Sequence, residues 1–332
     1  MKSTKILSIA ALSLIGMTAC SDKDDKTPES GSGVRINVTV PAAGRLTTTQ
    51  NIDQFSLWSY TGNKPYMSGV QARRSESSWS TMPTMYWPAD GKAVDFYCIS
   101  PAVSSDLENK SGRFDIEGFT NADGRTDLLY AVTLGASSNP VKINFRHALS
   151  KVAFNFKRRE ASSAQAPLKV DVSEVTLTSI MSTGSFNYPQ STTFANREDQ
   201  GSWSELNDAR DISVYSGGTT TLTDALANLN SSGYEFALPQ TLALSKADNT
   251  GAYVKVLCSI SDEKSGVRIW PKGQEQDYLY FPLNSEAQAI TREWEAGRSY
   301  VYNITIGVPD SSSMIEFDIT VDEYKDFNNI EL

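Results

Sequence analysis

The chain has 332 residues, more than one hydrophobic core usually organises, so its length predicts two domains. Its formal charge of -9 at neutral pH argues against nucleic acid as a partner. Apolar residues make up 39% of the chain and are separated by abundant Ser, Thr, Asn and Gly, a composition that favours short strands and polar turns over long helices.

Residues 1–19 have the regions of a secretory signal peptide, with two early lysines, an apolar run at residues 6–17 and small residues before Cys20. As a helix, that run would rise only about 18 Å, against a bilayer core of about 30 Å, so we expect cleavage rather than a permanent span. A cysteine after small residues resembles the bacterial lipobox, which implies that Cys20 becomes the acylated first residue of the mature chain.

Residues 20–33 contain no apolar side chain to bury beyond the cysteine itself, and we predict a disordered tether. The acidic cluster behind Cys20 resembles the surface-export signal of Bacteroidetes lipoproteins. A generic polar linker without a sorting role is the alternative.

Alternating apolar and polar residues predict half-buried strands through the rest of the chain. Similar openings at residues 34–40 and 152–156 suggest an N-terminal domain at residues 34–145 and a C-terminal domain at residues 146–332. Only residues 222–229 have the propensity for a short helix, which we expect to lie in a loop. Further strands are predicted at residues 55–60, 94–99, 127–133, 141–145, 170–177, 253–260, 277–281 and 300–306.

The last predicted strand has the cleanest alternation in the chain. Four apolar residues alternate there with acidic residues and a threonine, so one face is apolar and the other mainly acidic. Such a strand must cover a core, either in its own chain or in a neighbouring molecule. The apolar positions are Ile315, Phe317, Ile319 and Val321.

The sequence predicts no catalytic, metal or cofactor site, and therefore no enzyme. His147 is the only histidine, no paired metal-ligand spacing exists, and no nucleophile or nucleotide motif is present. We expect His147 to be packed and hydrogen-bonded. Cys98 and Cys258 lie in predicted strands, where two unpaired buried thiols are favoured over a disulfide.

Two weaker patterns have structural and functional alternatives. Residues 121–127 space oxygen ligands around a glycine, but they lack the downstream glutamate of a calcium loop, so we expect a turn. Five tryptophans could form a sugar-stacking platform, although aromatic residues more often fill a β-sandwich core. They are Trp79, Trp87, Trp203, Trp270 and Trp294.

Several segments, in this order and spacing, together resemble the fimbrillin-like proteins of Bacteroidetes, which are subunits of type V pili or relatives of such subunits. The matching segments are residues 86–88, 94–97, 100–101, 127–131, 141–152 and 294–302. The resemblance implies two tandem transthyretin-like β-sandwich domains, a lipid-anchored protein of the outer membrane, and other fimbrial subunits as partners. A non-polymerising surface lipoprotein that binds glycans or host proteins is the alternative function.

In polymerising members of this family, an arginine-specific protease removes the first strand, and a strand from another subunit fills the groove. The resemblance therefore implies Arg45, directly after the first predicted strand, as the processing site. A solvated loop arginine is the alternative, and Arg73 and Arg74 form a competing site. The strand at residues 315–321 is the candidate donor, or it completes its own domain.

Overall fold

The computed structural model describes residues 33–39, 52–75, 78–101, 107–110, 113–161, 166–192, 200–285, 292–309 and 317–323. Regular structure in these ranges consists of strands alone, which confirms the predicted all-β class. No helix within them is long and apolar enough to cross a membrane.

In the first part of the chain the strands are β1 (Ile36–Thr39), β2 (Gln54–Thr61), β3 (Lys64–Ser75), β4 (Ser78–Met82), β5 (Val94–Ser100), β6 (Leu107–Lys110), β7 (Arg113–Thr120), β8 (Leu129–Ala136), β9 (Val141–Asn144) and β10 (Arg146–His147).

Within the described residues, the second part of the chain adds thirteen strands, several of only two or three residues. They are β11 (Ser150–Arg158), β12 (Leu168–Asn187), β13 (Ser202–Tyr215), β14 (Thr220–Thr221), β15 (Ala227–Asn228), β16 (Glu235–Ala237), β17 (Gln240–Thr241), β18 (Tyr253–Asp262), β19 (Arg268–Trp270), β20 (Asp277–Pro282), β21 (Glu293–Trp294), β22 (Arg298–Ile306) and β23 (Phe317–Glu323).

An eight-stranded sheet is built from the first ten strands, without β6 and β7, in the order β10-β8-β5-β2-β3-β4-β1-β9. Neighbouring strands run antiparallel except β1 and β9, which are parallel. The central strands β2 and β5 are buried over almost their whole length, so β5 has a nearly continuous apolar sequence. A core around Phe55, Phe96 and Ile143 packs within this part of the chain.

Two sheets in the second part of the chain share one core. In one, the 20-residue strand β12 lies between β18 on one edge and β13 on the other. The other has the order β15-β11-β22-β23, with β16 also paired to β11. Side chains from both sheets, including Phe154, Val175 and Tyr302, meet in one cluster, which is the packing of a β-sandwich.

Strand pairing and a third hydrophobic cluster join the two parts of the chain. β6 and β7 form a hairpin, and β7 pairs with β12, where Ile116 lies opposite Phe186. The cluster contains both of these residues together with Tyr97 and Phe236. The division at residues 145 and 146 stays a prediction, but this hairpin belongs to the sheet of β12 rather than to that of its sequence neighbours β5 and β8.

The predicted strands at residues 94–99, 253–260 and 300–306 are confirmed as β5, β18 and β22. The helix predicted at residues 222–229 is wrong. Leu222 and Leu229 are buried in the core, and Ala227 and Asn228 form β15, which pairs with β11. The hydroxyl of Thr223 bonds the main chain of the turn, and such local bonds compete with a helix. Tertiary pairing here overrides a weak helical propensity.

Candidate strand-exchange site

The first strand is held between two neighbours in the eight-stranded sheet. Ile36 of β1 lies opposite Trp79 of antiparallel β4 and opposite Val141 of parallel β9. Just before β1, the N–H of Val34 donates to the carbonyl of Met85 over 2.8 Å. β1 therefore fills a slot whose two walls are the facing edges of β4 and β9.

Two described apolar side chains, one just before β1 and one in it, hold this segment in the slot. Val34 is 5% exposed and Ile36 is 6% exposed, and both belong to the core of the first sheet. Burying two such side chains contributes about 3 to 6 kcal/mol gross, from which the cost of ordering the strand is subtracted. Removing β1 would uncover this apolar floor and leave two strand edges with unpaired main-chain groups, which is a template for another strand.

Three residues predicted as functional, Cys20, Arg45 and Ile315, lie outside the described residues. In the sequence, Arg45 follows the end of β1 and precedes the start of β2. A cut after Arg45 would therefore separate β1 from β2 and from all later strands.

The competing arginines have a different setting. Arg73 in β3 lies opposite Gln54 of β2 on one side and opposite Ser80 of β4 on the other. The N–H of Arg74 donates to the carbonyl of Asp53 over 2.9 Å. Proteases act on exposed loops, whereas the main chain here is paired within a sheet. This geometry disfavours processing at Arg73 or Arg74.

The candidate donor strand pairs with its own chain in this structure. β23 is the edge strand beside β22, and its register sets Phe317, Ile319 and Val321 opposite three buried residues. Those three are Ile304, Tyr302 and Tyr300. β23 thus completes the sheet of the second part, and its donation to another molecule stays a prediction.

The single histidine is packed and hydrogen-bonded, as predicted. His147 is 6% exposed, and its Nδ1 lies 3.0 Å from the carboxylate of Asp127. The segment before Asp127 is a turn, also as predicted, because the side chain of Asn121 bonds the main chain of Thr126. No group of three or more His, Cys, Asp or Glu side chains suited to a metal occurs among the described residues.

The two predicted thiols are both free and buried. Cys98 packs in the core of the first sheet and Cys258 in the core of the second part, so they lie in different clusters. Burial raises the pKa of the Cys98 thiol well above its ordinary value, and burial, with a smaller effect of Asp277, raises the pKa of Cys258 to about 12. Both side chains act as small apolar residues.

The five tryptophans are distributed over three hydrophobic clusters and form no common platform. Trp87 and Trp294 are buried, and the other three are half-buried. Trp79 and Trp87 pack with the first sheet, Trp203 packs at the junction, and Trp270 and Trp294 pack in the second part. The structure therefore agrees with the prediction that they are core and sheet residues.

A buried carboxyl group at the junction of the two parts was not predicted from the sequence. The Glu235 side chain is fully buried in β16, and its nearest cation is Arg125, whose Nε lies 3.5 Å from Oε2. Burial raises the pKa of Glu235 to about 7, against the opposing effects of Arg125 and Asn230. The sequence signal was weak, because a lone glutamate between aromatic residues is also typical of an exposed strand.

A loop from the first part of the chain is hydrogen-bonded to β16. The N–H of Phe236 donates to the carbonyl of Gly124 over 2.7 Å, and Asn121 donates to the carbonyl of Phe236 over 3.1 Å. A Cβ at Gly124, whose φ is +68°, would lie 2.9 Å from Oε2 of Glu235. The loop thus approaches β16 as closely as glycine allows, and the carboxyl group is sealed beneath it.

A family model described as fimbrillin-like matches residues 25–323 of the chain. A fimbrial protein from Bacteroides vulgatus has a similar structure, with a TM-score of 0.59 at 13% identity over 88% of this chain and 99% of that one. A candidate cell adhesion protein from Parabacteroides distasonis matches with a TM-score of 0.53 at 9% identity, over 92% of this chain and 100% of that one.

A candidate cell adhesion protein from Bacteroides uniformis matches with a TM-score of 0.51 at 15% identity, over 88% of this chain and 98% of that one. At these identities the likeness to solved structures shows a shared fold. No match was found among functionally curated proteins.

Proposed function

The chain belongs to the fimbrillin-like family, and from this premise we propose that it is a structural or adhesive subunit of a type V-like fimbria on the bacterial surface. The observation that carries the proposal is the slot of β1. This strand lies between β4 and β9, its entry is held by the buried side chains of Val34 and Ile36, and it is followed in the sequence by Arg45.

Assembly proceeds by strand exchange. An arginine-specific protease cuts after Arg45, and β1 leaves with the N-terminal segment. The open slot then presents the edges of β4 and β9 above an apolar floor, and an extended strand from another subunit pairs with both edges. Main-chain hydrogen bonds supply affinity, and apolar side chains at alternate positions replace Val34 and Ile36.

The strand supplied by the other subunit is the one containing Ile315, Phe317, Ile319 and Val321. Its alternating sequence offers the period that the slot requires. Among the described strands, β23 is the edge strand of its sheet and is paired only with β22. An edge strand can detach without breaking a second ladder, which lowers the cost of donation.

Cys20 anchors the precursor to the outer membrane through its acyl chains, and residues 20–33 form the tether. Two or three acyl chains give firm anchoring, because each buried methylene contributes about 0.8 kcal/mol. Cleavage after Arg45 separates the assembled subunit from this anchor. The protein therefore moves from a lipid-anchored state into the fimbria in a single proteolytic step.

Treatment of the purified precursor with an arginine-specific protease tests the proposal. We expect ladders of multimers that resist SDS, and a new N-terminus at Leu46. Arg45→Ala should abolish both. A control carrying Arg73→Ala and Arg74→Ala should polymerise like the wild type, because those arginines lie within the sheet.

If the protein remains entirely monomeric after complete cleavage at Arg45, strand exchange is refuted. That result would favour the alternative of a surface lipoprotein that does not polymerise. A chain that ends before residue 315 separates the two candidate roles of the last strand. If β23 donates, this truncated subunit accepts a strand from full-length protein but supplies none, and ladders made from it alone are lost.

A further inference from the structure

The side chain of Asn139 contacts the main chain of the segment that enters β1. Its Oδ1 accepts a hydrogen bond from the N–H of Arg35 over 2.8 Å, and its Nδ2 donates to the carbonyl of Gly33 over 3.0 Å. Two residues later, the N–H of Val141 donates to the carbonyl of Arg35 over 2.8 Å. Three consecutive hydrogen bonds therefore join the segment that enters β1 to the segment that enters β9.

These bonds have the pattern of a parallel ladder. In such a ladder, one residue donates its N–H to one partner residue and accepts at its carbonyl from the residue two further along, and the next contacts fall two residues away. In the β1–β9 register, Val141 makes such contacts at the start of β9. If the ladder continued two residues towards the N-terminus, the main chain of residue 139 would have this double role. The side-chain amide of Asn139 performs it instead, since an amide has both a donor and an acceptor.

We propose that Asn139 is a main-chain clamp for whichever strand lies between β4 and β9. It holds β1 in the precursor and, resting here on the proposed function, it holds the strand of a second copy after processing. Both bonded groups belong to the main chain, so the clamp accepts many sequences. It requires an extended chain that reaches beyond the N-terminal end of β9. It also excludes proline at the position of Arg35, because proline has no N–H.

Hydrogen exchange on the intact precursor tests the clamp on β1. Asn139→Ala removes both bonds, and the amide of Arg35 should then exchange faster by on the order of tenfold. Asn63→Ala is the matched control, because Asn63 is exposed in the turn between β2 and β3. Unchanged protection of Arg35 in Asn139→Ala would overturn the proposal.

Peptide binding tests the clamp on an incoming strand. The probe is a labelled synthetic peptide of residues 33–40, added to protein that has been cleaved after Arg45 and freed of its N-terminal segment. Asn139→Ala should weaken binding on the order of tenfold to hundredfold. A peptide N-methylated at Arg35 should bind the wild type more weakly, and this loss should be smaller in the variant, because both changes remove the same bond.

The outcomes separate this inference from the proposed function. Equal affinity of the wild type and Asn139→Ala for the unmodified peptide would refute the clamp on an incoming strand and leave strand exchange intact. Failure of the peptide to bind either protein would count against strand exchange. The role of Asn139 toward β1 is then decided by hydrogen exchange in the precursor.

Discussion

Replacing Glu235 with glutamine should stabilise the protein at neutral and alkaline pH. The native pKa of this carboxyl group is about 7, against an ordinary value of 4.5, because it is buried beneath the loop that contains Arg125. The native state therefore binds more protons than the unfolded state between these values. The contribution of the protonated group is fully present below pH 4.5 and is lost as the pH rises through about 7.

The size of the effect on the free energy of unfolding follows from the pKa shift of Glu235. Each pKa unit corresponds to about 1.36 kcal/mol, so the wild type loses about 3 kcal/mol between pH 4 and pH 8 from this group. Glutamine has nearly the same shape as the protonated carboxyl group and carries no titratable proton. The variant should match the wild type near pH 4 and exceed its free energy of unfolding by about 3 kcal/mol at pH 8.

Urea unfolding at a series of pH values, followed by tryptophan fluorescence, measures this difference. Glu160→Gln serves as the matched control, because Glu160 is exposed and its side chain meets water in both states. If the free energies of unfolding of Glu235→Gln and the wild type change in parallel between pH 5 and pH 8, this prediction is refuted. Burial of Glu235 would then not limit the stability of the protein at neutral pH.

Three further predictions concern the cores. In a chain carrying Cys20→Ser, a thiol reagent at pH 8 should label Cys98 and Cys258 only after unfolding, because burial holds both thiols protonated. Rapid labelling of the folded protein would contradict this. Gly251→Ala should lower the free energy of unfolding by about 1 to 3 kcal/mol, since φ is +104° and the added Cβ would overlap the carbonyl of Leu244. Tyr188→Phe should cost about 1 kcal/mol in the same urea assay, because the buried hydroxyl donates to the carbonyl of Cys98, and wild-type stability would count against that bond.

Most strands with clear apolar runs or alternation were predicted, and several strands that mainly face solvent were missed. β5 and β18 have apolar runs or alternation that identify them directly. β13 escaped prediction, because most of its fourteen residues are exposed and its strand structure depends on pairing with β12. β3 escaped for the same reason, since much of it faces solvent while β2 and β4 pair with it.

The candidate site divides in the same way. The alternation of residues 34–40 identified the first strand, and the position of Arg45 after it was visible in the sequence. The neighbours of β1 were not visible, because β4 and β9 are separated by more than fifty residues and meet only in the folded sheet. The two bonds of Asn139 to the entering chain depend on that meeting.

The sequence by itself determined the all-β class and most of the buried strands, and it predicts the leader and the tether. These properties depend on local composition and on the two-residue period of a strand, which each segment carries alone. Only the tertiary structure decided that β6 and β7 join β12, that β1 lies between β4 and β9, and that Glu235 is sealed from water. Strand pairing and burial are set by contacts between distant segments, and many pairings of the same strands satisfy the same local pattern.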